Sequence, residues 1–211
     1  ELIYKVWKKV RENIKKNIYI IGNYELISKQ FKLLNLKIKL QKIHSINELI
    51  KTKNLKIIDI PLKFKDPFKV PFRNSSKYIL ESIDFAHKLS MKKKIRGFIN
   101  CPVDKKLLKT KNMTGVTELL ALKSGIKNSS EVMLIHNKKL SVVPITTHVD
   151  IKKISKHINR ALIINKVSSL SNCYKKLFKK KPKIAILGLN PHNSELVKYS
   201  EEKKIIIPSI K

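Results

Sequence analysis

Two histidines stand just beyond short apolar runs, His148 after Pro144-Ile145-Thr146-Thr147 and His192 after Gly188-Leu189-Asn190-Pro191. Neutral imidazole is a good ligand for divalent cations. Two rings from converging loops can hold one, completed by a third ligand or by substrate oxygens. A single histidine after a strand is more often a loop hydrogen-bonder, so neither residue carries a metal site alone. His44, His87, His136 and His157 lie in polar or lysine-rich stretches and read as solvated. A third loop, Asn100-Cys101-Pro102-Val103-Asp104-Lys105, also follows an apolar run, but Lys105 is one lysine among 43. Thr114-Gly115-Val116-Thr117-Glu118 reads as a turn entering a helix. There is no P-loop, no GxGxxG and no HExxH. Residue types and spacing therefore reach a possible two-histidine site and stop.

Sites in open α/β sheets form at the carboxyl ends of strands, so the elements ahead of these loops decide whether they converge. Ile3, Val6, Trp7, Val10 and Ile14 recur at three- and four-residue steps and predict one face of an opening helix. Residues 18–21 predict a buried strand, 24–34 a helix, 36–40 and 55–60 further strands, and the proline-bearing stretch 61–72 a surface loop. Asn74, Ser75 and Ser76 offer caps for a long helix in which Ile79, Ile83 and Ala86 share a face, ending at Lys92-Lys93-Lys94. Residues 97–99 predict a strand, and 117–124 a helix stopped by Gly125. The runs 132–135 and 140–145 flank Asn137-Lys138-Lys139 as a hairpin or as two neighbouring strands. Asp150 caps a helix with Ile151, Ile154 and Ile158 inward; a longer helix fills 161–178, residues 184–187 form a last strand, and 200–211 a closing helix around Pro208. Short apolar strands alternating with amphipathic helices predict an α/β fold with a largely parallel sheet.

Composition narrows the class. Of 47 basic residues only four are arginine, and 31 isoleucines and 16 asparagines stand against 5 glycines, the signature of A/T-rich codons. Part of the net charge of +32 reflects that drift. A hydrophobic share of 42% excludes a disordered polycation, which would lack the apolar surface to offset ordering entropy. The lysines spread along the whole chain without aromatic interleaving, so no specific nucleic-acid partner is expected, only weak, salt-sensitive association. No apolar run approaches the length of a bilayer span, and Lys5, Lys8 and Lys9 interrupt the opening segment as no signal peptide would, so no membrane partner is expected. Cys101 and Cys173 have no framework spacing and read as two buried or idle thiols in a reducing cytoplasm.

The strings INCPVDKKLL, GVTELLALKSG, PITTHVDI and ILGLNPHNSE, in that order, resemble the 4-hydroxythreonine-4-phosphate dehydrogenase family of vitamin B6 biosynthesis. That family shows a TGPVHK- or TAPISK-like strand end, then GHTE, TTH and GLNPHAGE, followed by an acidic helix matched here by Glu201-Glu202. The likeness is dense over 98–208, and ahead of residue 90 it is only a compatible order of elements; residues 1–211 are read as one partial domain. It implies α/β/α layers of the isocitrate/isopropylmalate dehydrogenase kind and a homodimer whose site is completed across subunits. It implies a divalent metal (zinc, magnesium or cobalt) held by three histidines, of which His148 and His192 are two; the third belongs to a YHDQ-like motif that this sequence does not contain. It further implies NAD or NADP as hydride acceptor and a phosphorylated hydroxy amino acid as substrate. Thr117 carries over as a substrate contact, Val116 replaces the GHTE histidine, and Lys105 aligns with the lysine of the PVHK/PISK loop as a candidate catalytic or substrate residue.

The implied reaction oxidises the secondary alcohol of 4-(phosphooxy)-L-threonine, and the resulting 2-amino-3-oxo acid loses CO₂ to give 3-amino-2-oxopropyl phosphate. The PGEPAGIGP-like opening and the later lysine, asparagine and arginine contacts are absent, so the sequence reads as a fragment with little activity of its own. Val116 leaves two alternatives: a related four-carbon sugar-acid phosphate such as D-threonate 4-phosphate, or a non-catalytic relative, degenerate or polyanion-binding.

Overall fold

The computed structural model describes residues 1–46, 52–108, 115–127 and 130–210. They divide into two compact units, Glu1–Met113 and Thr114–Lys211. The first contains α1 (Leu2–Lys9), α2 (Glu12–Lys15), β1 (Tyr19–Gly22), α3 (Tyr24–Leu33), β2 (Leu40–Ile43), β3 (Leu55–Asp59) and α4 (Phe72–Met91). Its three strands pair in the order β1-β3-β2, all parallel, with Ile57 opposite both Ile20 and Lys42. The parallel sheet is the one the alternating pattern predicts. Central β3 is buried from Leu55 to Ile58, as expected of a parallel strand covered on both faces. Ile57 joins Ile27 and Phe31 of α3 in the core, against Ile3, Tyr4 and Ile20.

One buried position on β3 is a lysine. Lys56 is 3% exposed; its Nζ donates to the Lys16 carbonyl and lies 4.3 Å over the Tyr19 ring, and burial pushes its pKa down. The carboxyl ends of β1 and β3 are tied by polar groups. Asn23 caps α3 by accepting from Leu26 N–H at 2.8 Å and donates to the Ile60 carbonyl at 3.0 Å. Asp59 accepts from Tyr24 N–H at 2.7 Å and pairs with Lys42 at 2.7 Å. The Tyr78 hydroxyl of α4 accepts from Asn23 N–H at 2.9 Å, fixing the long helix to this edge.

Several sequence expectations are corrected here. The opening helix ends at Lys9 because Val10 and Arg11 are extended; Trp7 is buried while Val6 and Ile14 are exposed. The second strand lies at Leu40–Ile43 and not 36–40, because the ladder must match Leu55 through Ile58. Helix α4 starts two residues before its expected caps, at Phe72 behind Pro71. His87 is buried: it sits four residues after buried Ile83 on the same helix face, and helical phase outweighs its lysine-rich surroundings. Residues 97–99 pair with no strand among the described residues, and Ile99 is fully exposed. Cys101 and Cys173 are free but exposed rather than buried.

The second unit contains α5 (Val116–Lys123), the antiparallel pair β4 (Ile135–His136) and β5 (Ser141–Val142), α6 (Ile154–His157), α7 (Arg160–Phe178) and α8 (Ile207–Ile210). The hairpin is much shorter than the apolar runs suggest; Asn137 Oδ1 turns it by accepting from the Lys139 and Leu140 N–H groups. Gly125, at φ +66°, follows α5, as its position predicts. Asp150 caps a 3-10 turn, Ile151–Lys153, that leads into α6, but Ile151 faces solvent. Asn159 caps α7 through Leu162 N–H at 2.9 Å, and left-handed Lys179 ends it. Buried Ile158, Ile163 and Ile206 make the core, packed by Ile145, Ile154, Val167, Ile186 and Ile205. Residues 184–187 have no ladder among the described residues: Ile186 packs inward and Leu187 is exposed. No described helix is long and apolar enough to cross a membrane.

Burial pushes the Asp59 carboxyl up, but the Lys42 ammonium, the Tyr24 N–H and the His44 charge outweigh it and hold its pKa below the usual carboxylate range. A lowered folded pKa gives stability that is present above the unfolded value, about 3.9, and lost as pH falls through the folded one. Asp59→Asn is therefore expected to lower stability by about 1–3 kcal/mol at pH 7. Urea unfolding across pH should show the gap to the unmodified protein constant down to pH ~5 and closing below pH ~4.

Candidate functional site

The two histidine loops grow out of one core. Ile145 precedes His148 by three residues and Ile186 precedes His192 by six, and both isoleucines pack on Ile158, Ile163 and Ile206. Beyond them, Pro144 and Thr146 from one loop and Gly188 and Leu189 from the other line a single cavity of about 270 Å³. The remaining lining is aliphatic and includes Ile206. Sequence separates the loops by some forty residues; burial of isoleucine brings their roots together.

His148 is exposed and left-handed, at φ +56°. His192 is also exposed, with Nδ1 3.5 Å from Glu195 Oε1, which leaves Nε2 as the nitrogen a cation would take. Asn190 shapes this loop by accepting from His192 N–H at 3.0 Å and Ser194 N–H at 3.4 Å, and its amide donates to Ser194 Oγ at 3.2 Å. Asn193, Ser194, Glu195 and Leu196 all have φ near +50°. Left-handed backbone costs L-residues roughly 1–2 kcal/mol each, so four in a row persist only where their surroundings hold them.

Gly188 is where that hold is tightest. A Cβ there would fall 1.8 Å from Asn193 Oδ1 and 3.3 Å from Glu202 Oε1. Glu202 is 4% exposed, and its Oε1 accepts from Leu189 N–H at 3.1 Å. It opens a π-helical turn, Glu202–Ile206. Sequence reasoning named Glu202 only as part of an acidic helix. The signal that could have found it is a carboxylate spent near a histidine loop in a chain with only 15 acids.

On α5, Thr117 is exposed and Val116 half-buried. Glu118 Oε2 is buried without a hydrogen-bond partner among the described residues, 3.0 Å from where a Cβ on Gly115 would lie. Lys105 belongs to the first unit, exposed on the 3-10 turn Lys105–Leu108. That turn is held to α4 by Ser76 Oγ, which donates to the Leu107 carbonyl at 2.6 Å. Imidazole is a donor that suits a divalent cation; the two histidines follow residues that line one cavity but do not line it themselves, and no cluster of three His, Cys, Asp or Glu occurs among the described residues.

Gly188→Ala is expected to push the Asn193 side chain out of place and cost about 1 kcal/mol by over-packing. Gly97→Ala, whose Cβ would meet nothing within 4 Å, should stay within about 0.5 kcal/mol of the unmodified protein. Urea unfolding of both variants separates crowding at residue 188 from the general effect of replacing a glycine.

A family model described as the pyridoxal phosphate biosynthetic protein PdxA matches residues 14–211. The chain is 32% identical over 218 residues to a 4-hydroxythreonine-4-phosphate dehydrogenase of Sulfurihydrogenibium sp., an alignment covering 100% of this chain and 65% of that protein. It is 27% identical over 162 residues to a D-threonate 4-phosphate dehydrogenase of Pectobacterium atrosepticum, covering 74% of this chain and 49% of that one. The crystal structure of a 4-hydroxythreonine-4-phosphate dehydrogenase from Klebsiella pneumoniae shares the fold at a TM-score of 0.78, with 23% identity over 94% of this chain and 66% of that chain. The chain thus spans just under two thirds of the length of the relatives it matches most fully. With the four motifs in order and the model matching from residue 14 to residue 211, the chain belongs to the PdxA family of pyridoxal phosphate biosynthetic proteins.

Proposed function

We propose that the protein oxidises 4-(phosphooxy)-L-threonine with NAD(P)⁺ as part of a metal-dependent homodimeric dehydrogenase of the cytoplasm. The observation that carries this reading is the emergence of the His148 and His192 loops from one isoleucine core beside one cavity. His148 and His192 would hold the divalent cation, with further ligands from outside the described residues. A cation held there would supply polarisation of substrate oxygens, and a nicotinamide would supply the hydride acceptor. The hydroxyl of Thr117, at the start of α5, donates to a phosphate or carboxylate oxygen of the substrate. Lys105, on the first unit, is a candidate catalytic or substrate residue by its place in the PVHK/PISK-like motif alone.

Val116 favours a second reading, a D-threonate 4-phosphate-type substrate, because its side chain can neither donate nor accept where the family histidine would. The relatives' names span both substrates.

In an NAD⁺ reduction assay of the full-length protein that carries this chain, with 4-(phosphooxy)-L-threonine, turnover is expected to stop with chelator and to fall at least about 100-fold in His148→Ala. Turnover with D-threonate 4-phosphate alone moves the substrate and keeps the mechanism. Silence on both, from a folded protein, overturns the enzyme. Val116→His should shift preference toward the amino-acid substrate by about tenfold, the effect of one added hydrogen bond. The ratio of kcat/KM for the two substrates reads it.

A further inference from the structure

The second unit buries a carboxylate that only half meets its hydrogen-bonding needs. Glu202 is 4% exposed, Oε1 accepts from Leu189 N–H at 3.1 Å, and Oε2 is buried with no donor among the described residues. An ionised group in such a place is strongly destabilising unless paired, and most buried polar atoms do find partners. The burial is not a by-product of a crowded helix. The turn that Glu202 opens is π-helical, a widening often found at functional sites, and a Cβ on Gly188, besides striking Asn193 Oδ1, would crowd Glu202 Oε1 at 3.3 Å.

What this carboxylate grips is the root of the His192 loop. Leu189 lies three residues before His192, between Gly188, whose missing Cβ makes room, and Asn190, which accepts from His192 N–H. Past His192 come four left-handed residues, a strained run that relaxes unless both sides are tethered. The Asn190 bonds act within the loop. The Glu202–Leu189 bond reaches the loop from the helical segment whose Ile206 belongs to the isoleucine core.

We propose that Glu202 is the positioning residue of the His192 loop, its buried carboxylate holding Leu189 N–H so that His192 is presented to a divalent cation. The inference rests on the two-histidine metal reading and adds to it a residue that touches neither cation nor substrate. A carboxylate or a carboxamide can accept this bond; a methyl group cannot, and aspartate withdraws the acceptor by one methylene.

The test uses the full-length protein that carries this chain, Co²⁺ alone as probe, and two readouts: the visible absorption of bound cobalt and amide hydrogen exchange. In Glu202→Ala the Leu189 amide should exchange at least tenfold faster while Ile163, deep in the core, keeps its protection. The Co²⁺ dissociation constant should rise about tenfold, as for other residues that orient a ligand from behind. Glu202→Gln should stay within about threefold of the unmodified protein in both, and Glu202→Asp should behave as alanine. If alanine also strips protection from Ile163, the comparison of glutamine with aspartate decides. Faster Leu189 exchange with unchanged cobalt affinity and spectrum overturns the inference, as does unchanged exchange in both the alanine and aspartate variants. An unmodified protein that gives no cobalt signal overturns instead the metal reading of His148 and His192.

Discussion

The second unit depends on one contact among isoleucines. Ile158 lies just past α6, Ile163 in α7 and Ile206 at the end of the π-helical turn, and Ile145 and Ile186 pack on them from the two loop-bearing stretches. Dispersion and the hydrophobic effect are non-directional, so the cluster sets proximity while the polar details set aim. Proximity is what a two-loop site requires first. Asn190, Gly188 and Glu202 then act within a few ångströms of Leu189 and His192, on a frame that branched aliphatic side chains have already closed. The two kinds of force divide the labour by range.

The first unit shows the same division in a parallel sheet. Aliphatic residues of β3 fill the centre, and the carboxyl edge is stitched by Asn23, Asp59 and Tyr78. The lysine-rich composition shapes both interiors. Lys56 and Lys166 are buried, and each gives its ammonium to a main-chain carbonyl, Lys166 to that of Glu131 at 2.6 Å. A lysine stem packs as a hydrophobe if its head finds an acceptor. Lysine is thus tolerated inside as well as on the surface.

Much of this was legible because periodicity reports burial directly. The helices at 24–33 and 160–178, the strands at 19–22 and 55–59, and the stop at Gly125 follow from apolar spacing and cap chemistry. The misses share a cause. Residues 97–99 and 184–187 carry a strand's composition, but a strand exists only through its neighbours, and pairing is not written in a segment's own residues. His87 was misread because local composition was weighed above helical phase. The histidine loops could be picked out by residue type, and the motif order gave them a family. Glu202 could not be seen as more than one acid of a helix, since its burial and its bond to Leu189 exist only once the chain has folded back.

The strand order β1-β3-β2 has a consequence for synthesis. The strand at the centre of the sheet is the last of the three to be made, so Tyr19–Gly22 and Leu40–Ile43 have no ladder to join until Leu55–Asp59 has left the ribosome. Neither earlier strand pairs with the other in the finished sheet, so each waits as an open edge rich in β-branched or aliphatic residues. The interval is a few seconds at ordinary elongation rates, roughly 5–20 residues per second. Over that interval only the helices ahead of Leu55, with the Asn23 cap of α3, can form without the central strand.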